Sequence, residues 1–165
     1  MMKKSIPFFI LCSLFLALAA CGADSPPFTG RVTAVADGDT ITVMTYDNQQ
    51  IKIRLYGIDC PERGQPFSNR ARQITSNAVA GRDVTVQPFE IDRYGRTVGI
   101  VYISDDETLN SLLVREGMAW VYSQFCKQGK VCNPLKTLEK AARNEKRGLW
   151  ADNKPVPPWE WRKDR

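Results

Sequence analysis

Apolar residues recurring at intervals of two constrain what the chain from Phe28 onward can fold into. Val32, Ala34 and Ala36, then Ile41 and Val43, then Ile51, Ile53 and Leu55 alternate with other residues, and Asp37-Gly38-Asp39 and Asp47-Asn48 separate the runs. A half-buried strand turns one face to a core and the other to water, so this pattern predicts three consecutive antiparallel strands. Between Pro66 and Ala80 the period changes. Phe67, Ala71, Ile74 and Ala78 follow helical spacing, and Gly81 closes the run. Alternation resumes at Val84 and Val86, turns at Asp92 to Arg96, and continues through Val98, Ile100 and Tyr102. Leu109 to Glu116 reads as a short helix ended by Gly117; Asn133-Pro134 reads as the cap and first position of a helix running to Arg147 and closed by Gly148. Five strands with a helix between the third and fourth predict an α+β protein: a five-stranded OB-fold Greek-key barrel with about three helices. Such barrels often bind oligonucleotides or sugars, but a fold does not by itself assign a function.

The first 27 residues lie outside that pattern. Lys3 and Lys4 precede an almost wholly apolar run from Ile6 to Leu18, and Leu18-Ala19-Ala20-Cys21 follows. This is the layout of a bacterial export signal, and its apolar run is shorter than the about 20 residues a bilayer-spanning helix needs. Leu-Ala-Ala-Cys also resembles a lipobox, which makes residues 1–20 the signal and leaves Cys21 lipidated at the new N-terminus. Cleavage after Ala17-Leu18-Ala19, with Cys21 an incidental thiol, is the alternative. The expected organisation is a linker over 21–27, a folded domain over 28–150 and a Pro- and Trp-containing tail over 151–165. The tail's Trp159 and Trp161 are expected to fold back on the body. The protein is expected to be exported, anchored to a membrane through Cys21, and to face the periplasm or the cell exterior.

Removing residues 1–20 takes away Lys3 and Lys4 and no acid, lowering Lys+Arg from 23 to 21 against 18 Asp+Glu and the net charge from +5 to about +3. That mild basic bias suits a polyanionic partner without requiring one. Cys12 leaves with the signal, so Cys60, Cys126 and Cys132 remain in a compartment where disulfides persist. Cys126 and Cys132 flank the flexible segment Lys127 to Val131 and are expected to be bridged; two free thiols, or a bridge involving Cys60, are the alternatives. With no histidine in the chain, a His-based metal site and a His-based route to hydrolysis are excluded.

Four clusters place charge where a core has no use for it: Asp37-Gly38-Asp39-Thr40, Arg54, Asp59-Cys60-Pro61-Glu62, and Asp92-Arg93-Tyr94-Gly95-Arg96. Singly, each has an ordinary reading as a turn, a solvated strand face or a helix start. Their combination, alternating acid and base at strand ends and turns, is the informative observation. Arg93 and Tyr94, beside Arg96, suit phosphate steering and base stacking.

Together with Leu109-Asn110, Gly117 and Arg147-Gly148-Leu149-Trp150, these segments resemble the staphylococcal-nuclease-type thermonucleases from about Phe28 to Trp150. The resemblance implies that Asp39, Asp59 and the backbone carbonyl of Cys60 ligate Ca2+, a hard cation that takes such oxygens with water in its other positions. It implies that Arg54 and Arg96 hold the phosphate, where lysine would meet the developing charge poorly, and that Glu62 works on the attacking water as general base. It also implies cleavage of DNA and RNA, single strands preferred, leaving 3′-phosphate and 5′-hydroxyl ends. The family's second tyrosine corresponds to Tyr122 only with a one-residue offset, so Tyr122 is either a substrate contact or a core aromatic. A monomer is expected. Two other classes stand beside this one: a non-catalytic OB-fold lipoprotein that binds nucleic acid, and a surface lipoprotein with a structural role. The second leaves Asp39, Arg54, Asp59, Glu62 and Arg96 unexplained.

Overall fold

The computed structural model describes residues 25–164. The expected signal and the Cys21 anchor lie outside these described residues. Strands β1 (Phe28–Val35), β2 (Thr40–Thr45) and β3 (Gln50–Leu55) form the antiparallel meander. A two-residue strand β4 (Ile58–Asp59) follows, then helix α1 (Ser68–Val79) and the hairpin of β5 (Asp83–Ile91) and β6 (Thr97–Tyr102). Helix α2 (Leu109–Arg115), strand β7 (Trp120–Val121), helix α3 (Gly129–Asn144) and the short helix α4 (Pro158–Trp161) complete the order. The barrel closes as β1-β2-β3-β6-β5, with β3 and β6 parallel and β1 returning to β5, while β4 and β7 pair as a separate ribbon. This is the expected five-stranded α+β barrel, with α4 added to the three expected helices.

Apolar alternation places the barrel core as predicted along β2 and β3, where Ile41, Val43, Ile53 and Leu55 are all buried. Two strands depart from it. A register shift between Val32 and Ala34 inserts a bulge into β1, and beyond it Val35 turns inward while Ala34 and Ala36 are exposed. In β6, Ile100 and Val101 are both buried and Tyr102 is exposed. One face of this strand meets the barrel interior, and α2 packs against the strand as well.

Helix α3 starts at Gly129, ahead of the expected Asn133-Pro134 cap, so Pro134 lies inside it. The Cys126–Cys132 disulfide, with Cα atoms 5.7 Å apart, ties its first turn to the preceding loop. The Tyr56 hydroxyl fixes that loop by accepting the N–H groups of Lys127 (2.9 Å) and Gln128 (3.1 Å). These tertiary ties outweigh the local cap signal. Asn110, fully buried, accepts Val101 N–H and donates to the Tyr56 carbonyl, joining α2, the barrel and the turn after β3. That turn requires Gly57, whose φ is +71° and where a Cβ would sit 2.5 Å from Cys126 Sγ.

Candidate active site

Strand register assembles the site at one end of the barrel. Thr40 pairs with Arg54 across β2 and β3, and Leu55 N–H donates to the Asp39 carbonyl at 2.9 Å. The Gly57 turn then brings Asp59 back beside Arg54. The Asp37-Gly38-Asp39 turn is held from α1, where buried Thr75 Oγ1 donates to the Gly38 carbonyl at 2.6 Å. Gly38 is needed for close approach: a Cβ there would lie 2.8 Å from both Cβ and Sγ of Cys60 and 2.9 Å from Ala71 Cβ.

Arg54 is the hub. Its Nη1 donates to the carbonyls of Leu55 and Ile58, each at 2.9 Å. Its Nη2 lies 2.7 Å from Asp59 Oδ1 and 3.3 Å from Asp39 Oδ2. Both carboxylates are buried, Asp39 at 6% and Asp59 at 2% exposure. Burial pushes the Asp39 carboxyl up to about 7 despite Arg54 beside it, and burial likewise raises Asp59. Burial works against the Arg54 charge, but Asp39 and Asp59 outweigh it and hold the guanidinium above its ordinary range. Cys60 N–H donates to Asp39 Oδ2 at 2.6 Å, which sets the Cys60 backbone against that carboxylate. The Cys60 thiol is free and buried, and burial followed by the Asp39 charge raises it well above an ordinary thiol, the opposite of nucleophile activation.

Glu62 borders this pair. Its N–H donates to Gln65 Oε1 at 2.9 Å, and its carboxylate pairs with Arg162. Arg162 also donates to Asp59, through Nη2 to Oδ2 at 2.8 Å and through Nη1 to Oδ1 at 3.4 Å.

A divalent cation fits this donor set. Two buried carboxylates share one guanidinium nitrogen, and burial disfavours the charged form of Asp39, a penalty that a bound cation would relieve. Among the described residues no group of three or more His, Cys, Asp or Glu side chains forms a ready metal cage. Asp39 and Asp59 would therefore need carbonyl and water oxygens to complete a shell, as calcium tolerates.

Arg96, Arg93 and Tyr94 occupy the β5–β6 turn. Asp92 Oδ1 accepts N–H groups from Tyr94 (2.9 Å) and Arg96 (3.0 Å), and its Oδ2 takes Arg96 Nε at 2.7 Å. Burial opposes the Asp92 charge, but these bonds prevail and leave its carboxyl below the usual range. Tyr94 is 67% exposed, with the Arg93 and Arg96 guanidiniums 4.8 Å and 5.4 Å from its ring centroid. Arg54 pairs with Val98 on β6, so Arg96 lies two residues ahead on the adjoining segment, while its own hydrogen bonds go to Asp92. Tyr122 is half-buried, stacked on Trp159 at 4.6 Å and edge-on to Phe125.

Three residues at the site escape sequence reasoning. Gln65 is buried and hydrogen-bonds the Glu62 backbone, but its polar side chain carries no motif signal. Thr75 faces the turn from within a helix. Arg162 reaches Glu62 across 100 positions of sequence.

Residues 52–152 match the family model described as staphylococcal nuclease homologue. The chain is 42% identical over 161 residues, 98% of each chain, to an "Uncharacterized endonuclease" of Escherichia coli. It is 40% identical over 144 residues to a "Micrococcal nuclease" of Shigella flexneri, covering 82% of this chain and 81% of that one. It is also 33% identical over 138 residues to "Staphylococcal-like nuclease CAN1" of Arabidopsis thaliana, covering 81% of this chain and 41% of the plant protein. With the barrel and these matches in agreement, the chain belongs to the staphylococcal nuclease family.

Proposed function

We propose that this nuclease hydrolyses phosphodiester bonds of DNA and RNA in a calcium-dependent endonucleolytic reaction that prefers single strands and leaves 3′-phosphate and 5′-hydroxyl ends. The observation that carries the proposal is the convergence of two buried carboxylates, Asp39 and Asp59, on Arg54 with Glu62 alongside. Asp39, Asp59 and the Cys60 carbonyl would hold the calcium, which would supply positive charge where the phosphoryl oxygens become more negative. Glu62 takes a proton from water as the water oxygen bonds to phosphorus; the bond to the 5′ oxygen breaks, and that oxygen leaves with a proton from solvent. Arg54 and Arg96 bind phosphoryl oxygens as charged donors. Arg93 and Tyr94, on their exposed turn, guide an adjoining phosphate and base.

Incubating the purified protein with denatured DNA in calcium, in excess chelator, and as Glu62→Gln tests this directly. Calcium-dependent fragmentation should fall by about 10² to 10⁴-fold in the variant, the usual contribution of a general base. A loss below tenfold would assign Glu62 a positioning role instead. DNA that is bound but left intact in calcium would favour the non-catalytic module.

The N-terminal pattern supports an exported enzyme lipidated on Cys21 and facing the periplasm or cell exterior, with residues 21–27 as a linker. Metabolic labelling with a fatty acid should mark the protein and leave Cys21→Ala unmarked; an unlabelled wild type would overturn the anchor.

A further inference from the structure

The tail beyond the matched segment is docked at the site rather than merely trailing from it. Gln65 links the two directly: its Oε1 accepts Glu62 N–H, and its Nε2 donates to the Val156 carbonyl at 2.6 Å. Pro158 is buried, and Trp159 stacks on Tyr122 and meets Trp120 edge-on at 5.8 Å. From that anchorage Arg162 extends to the carboxylates, bonding both oxygens of Asp59 and pairing with Glu62.

We propose that Arg162 is a third guanidinium of the active site, an internal cation that holds Asp59 and Glu62 in the metal-free enzyme and competes with the incoming divalent cation for Asp59. This rests on the reading of Asp59 as a metal ligand. Asp59 Oδ1 takes donors from both Arg54 and Arg162, and Oδ2 takes one from Arg162. A metal ion needs those same lone pairs, and a neighbouring guanidinium repels it, so one arginine must yield. Arg54 is tethered by two backbone carbonyls and its side chain is 15% exposed. The Arg162 side chain is 41% exposed on a long flexible stem. Arg162 is the one that moves, while Gln65, Pro158 and Trp159 keep its backbone docked. Until metal arrives, it shields two close carboxylates from each other and occupies the base.

Calcium titration by calorimetry of full-length wild type, Arg162→Ala, Arg162→Lys and Asp59→Asn tests the proposal. With its competitor gone, Arg162→Ala should bind calcium on the order of tenfold more tightly, within the usual span of coupling between two sites. Arg162→Lys should fall between the two, because an ammonium cannot fork across both carboxylates. A charge effect without displacement is separated by NMR: the wild-type guanidinium signal of Arg162, identified by its loss in Arg162→Lys, should shift or broaden when calcium is added. Calcium affinity in Arg162→Ala equal to or weaker than wild type, or an Arg162 signal that calcium leaves unmoved, would overturn the proposal. Asp59→Asn keeps the two failures distinct. If it loses calcium but Arg162→Ala gains none, only the Arg162 proposal falls; if it binds like wild type, the metal reading falls and takes the proposal with it.

Discussion

Arg54 and Arg96 carry the same charge and the same proposed task, yet the fold supports them differently. Arg54 lies inside the barrel end, its guanidinium divided between two buried carboxylates and two backbone carbonyls. Arg96 stands in a hairpin turn, paired with Asp92 alone and with its side chain 26% exposed. Asp92 also binds backbone N–H groups of that turn, so the turn keeps part of its closure without the Arg96 side chain. Arg54 is thus a structural member of the fold, whereas Arg96 adds to it only through the Asp92 pair and the Tyr94 ring.

The largest expected effect is for Arg54→Ala. Its cleavage rate should fall by about 10² to 10³-fold, as for deleting a donor aimed at developing charge. Its stability to urea should fall by about 3–5 kcal/mol, because the buried Asp39 carboxylate loses its counter-ion and Asp59 is left with Arg162 alone. Arg96→Ala should lose a similar factor in rate but no more than about 1 kcal/mol of stability, the scale of an exposed ion pair. Equal stability losses in the two variants would break the comparison.

A smaller effect concerns pH. Burial raises Asp39 from 3.8 to about 7, so the folded chain holds this proton more tightly than the unfolded chain does. The stability tied to that proton is fully present below the unfolded value and is lost as pH rises through the folded one. The metal-free protein should therefore melt at progressively lower temperature from about pH 4 to about pH 7 through this group. Asp39→Asn should reduce the slope in that window in thermal melts with chelator, leaving the part that the likewise raised Asp59 supplies, and match or exceed wild-type stability above it, while losing calcium-dependent cleavage. A slope undiminished in Asp39→Asn would show that Asp39 is not its source.

Much of this was legible in the sequence because it depends on short-range pattern. The alternation of Ile41, Val43, Ile53 and Leu55 specifies strands that meet a core, and Asp39, Arg54, Asp59 and Glu62 lie near the ends and turns those strands create. What was not legible depends on contacts distant in sequence. The β1 bulge substitutes Val35 for Ala34, and no local signal announces it. The start of α3 follows a disulfide and the Tyr56 hydroxyl rather than the Asn133-Pro134 signal. Arg162 belongs to a tail whose tryptophans suggested folding back, but its arrival at Asp59 depends on Gln65 and Trp159 docking that tail in place.

The most direct test is cleavage of denatured DNA by the full-length protein across a calcium titration, with Arg54→Ala and Arg96→Ala run alongside and each variant's unfolding recorded. Calcium-dependent cleavage by wild type, comparable rate losses in both variants, and a large stability loss in Arg54→Ala alone are the expected results. Cleavage unaffected by chelator, or DNA left intact by the wild type at every calcium concentration, would contradict them.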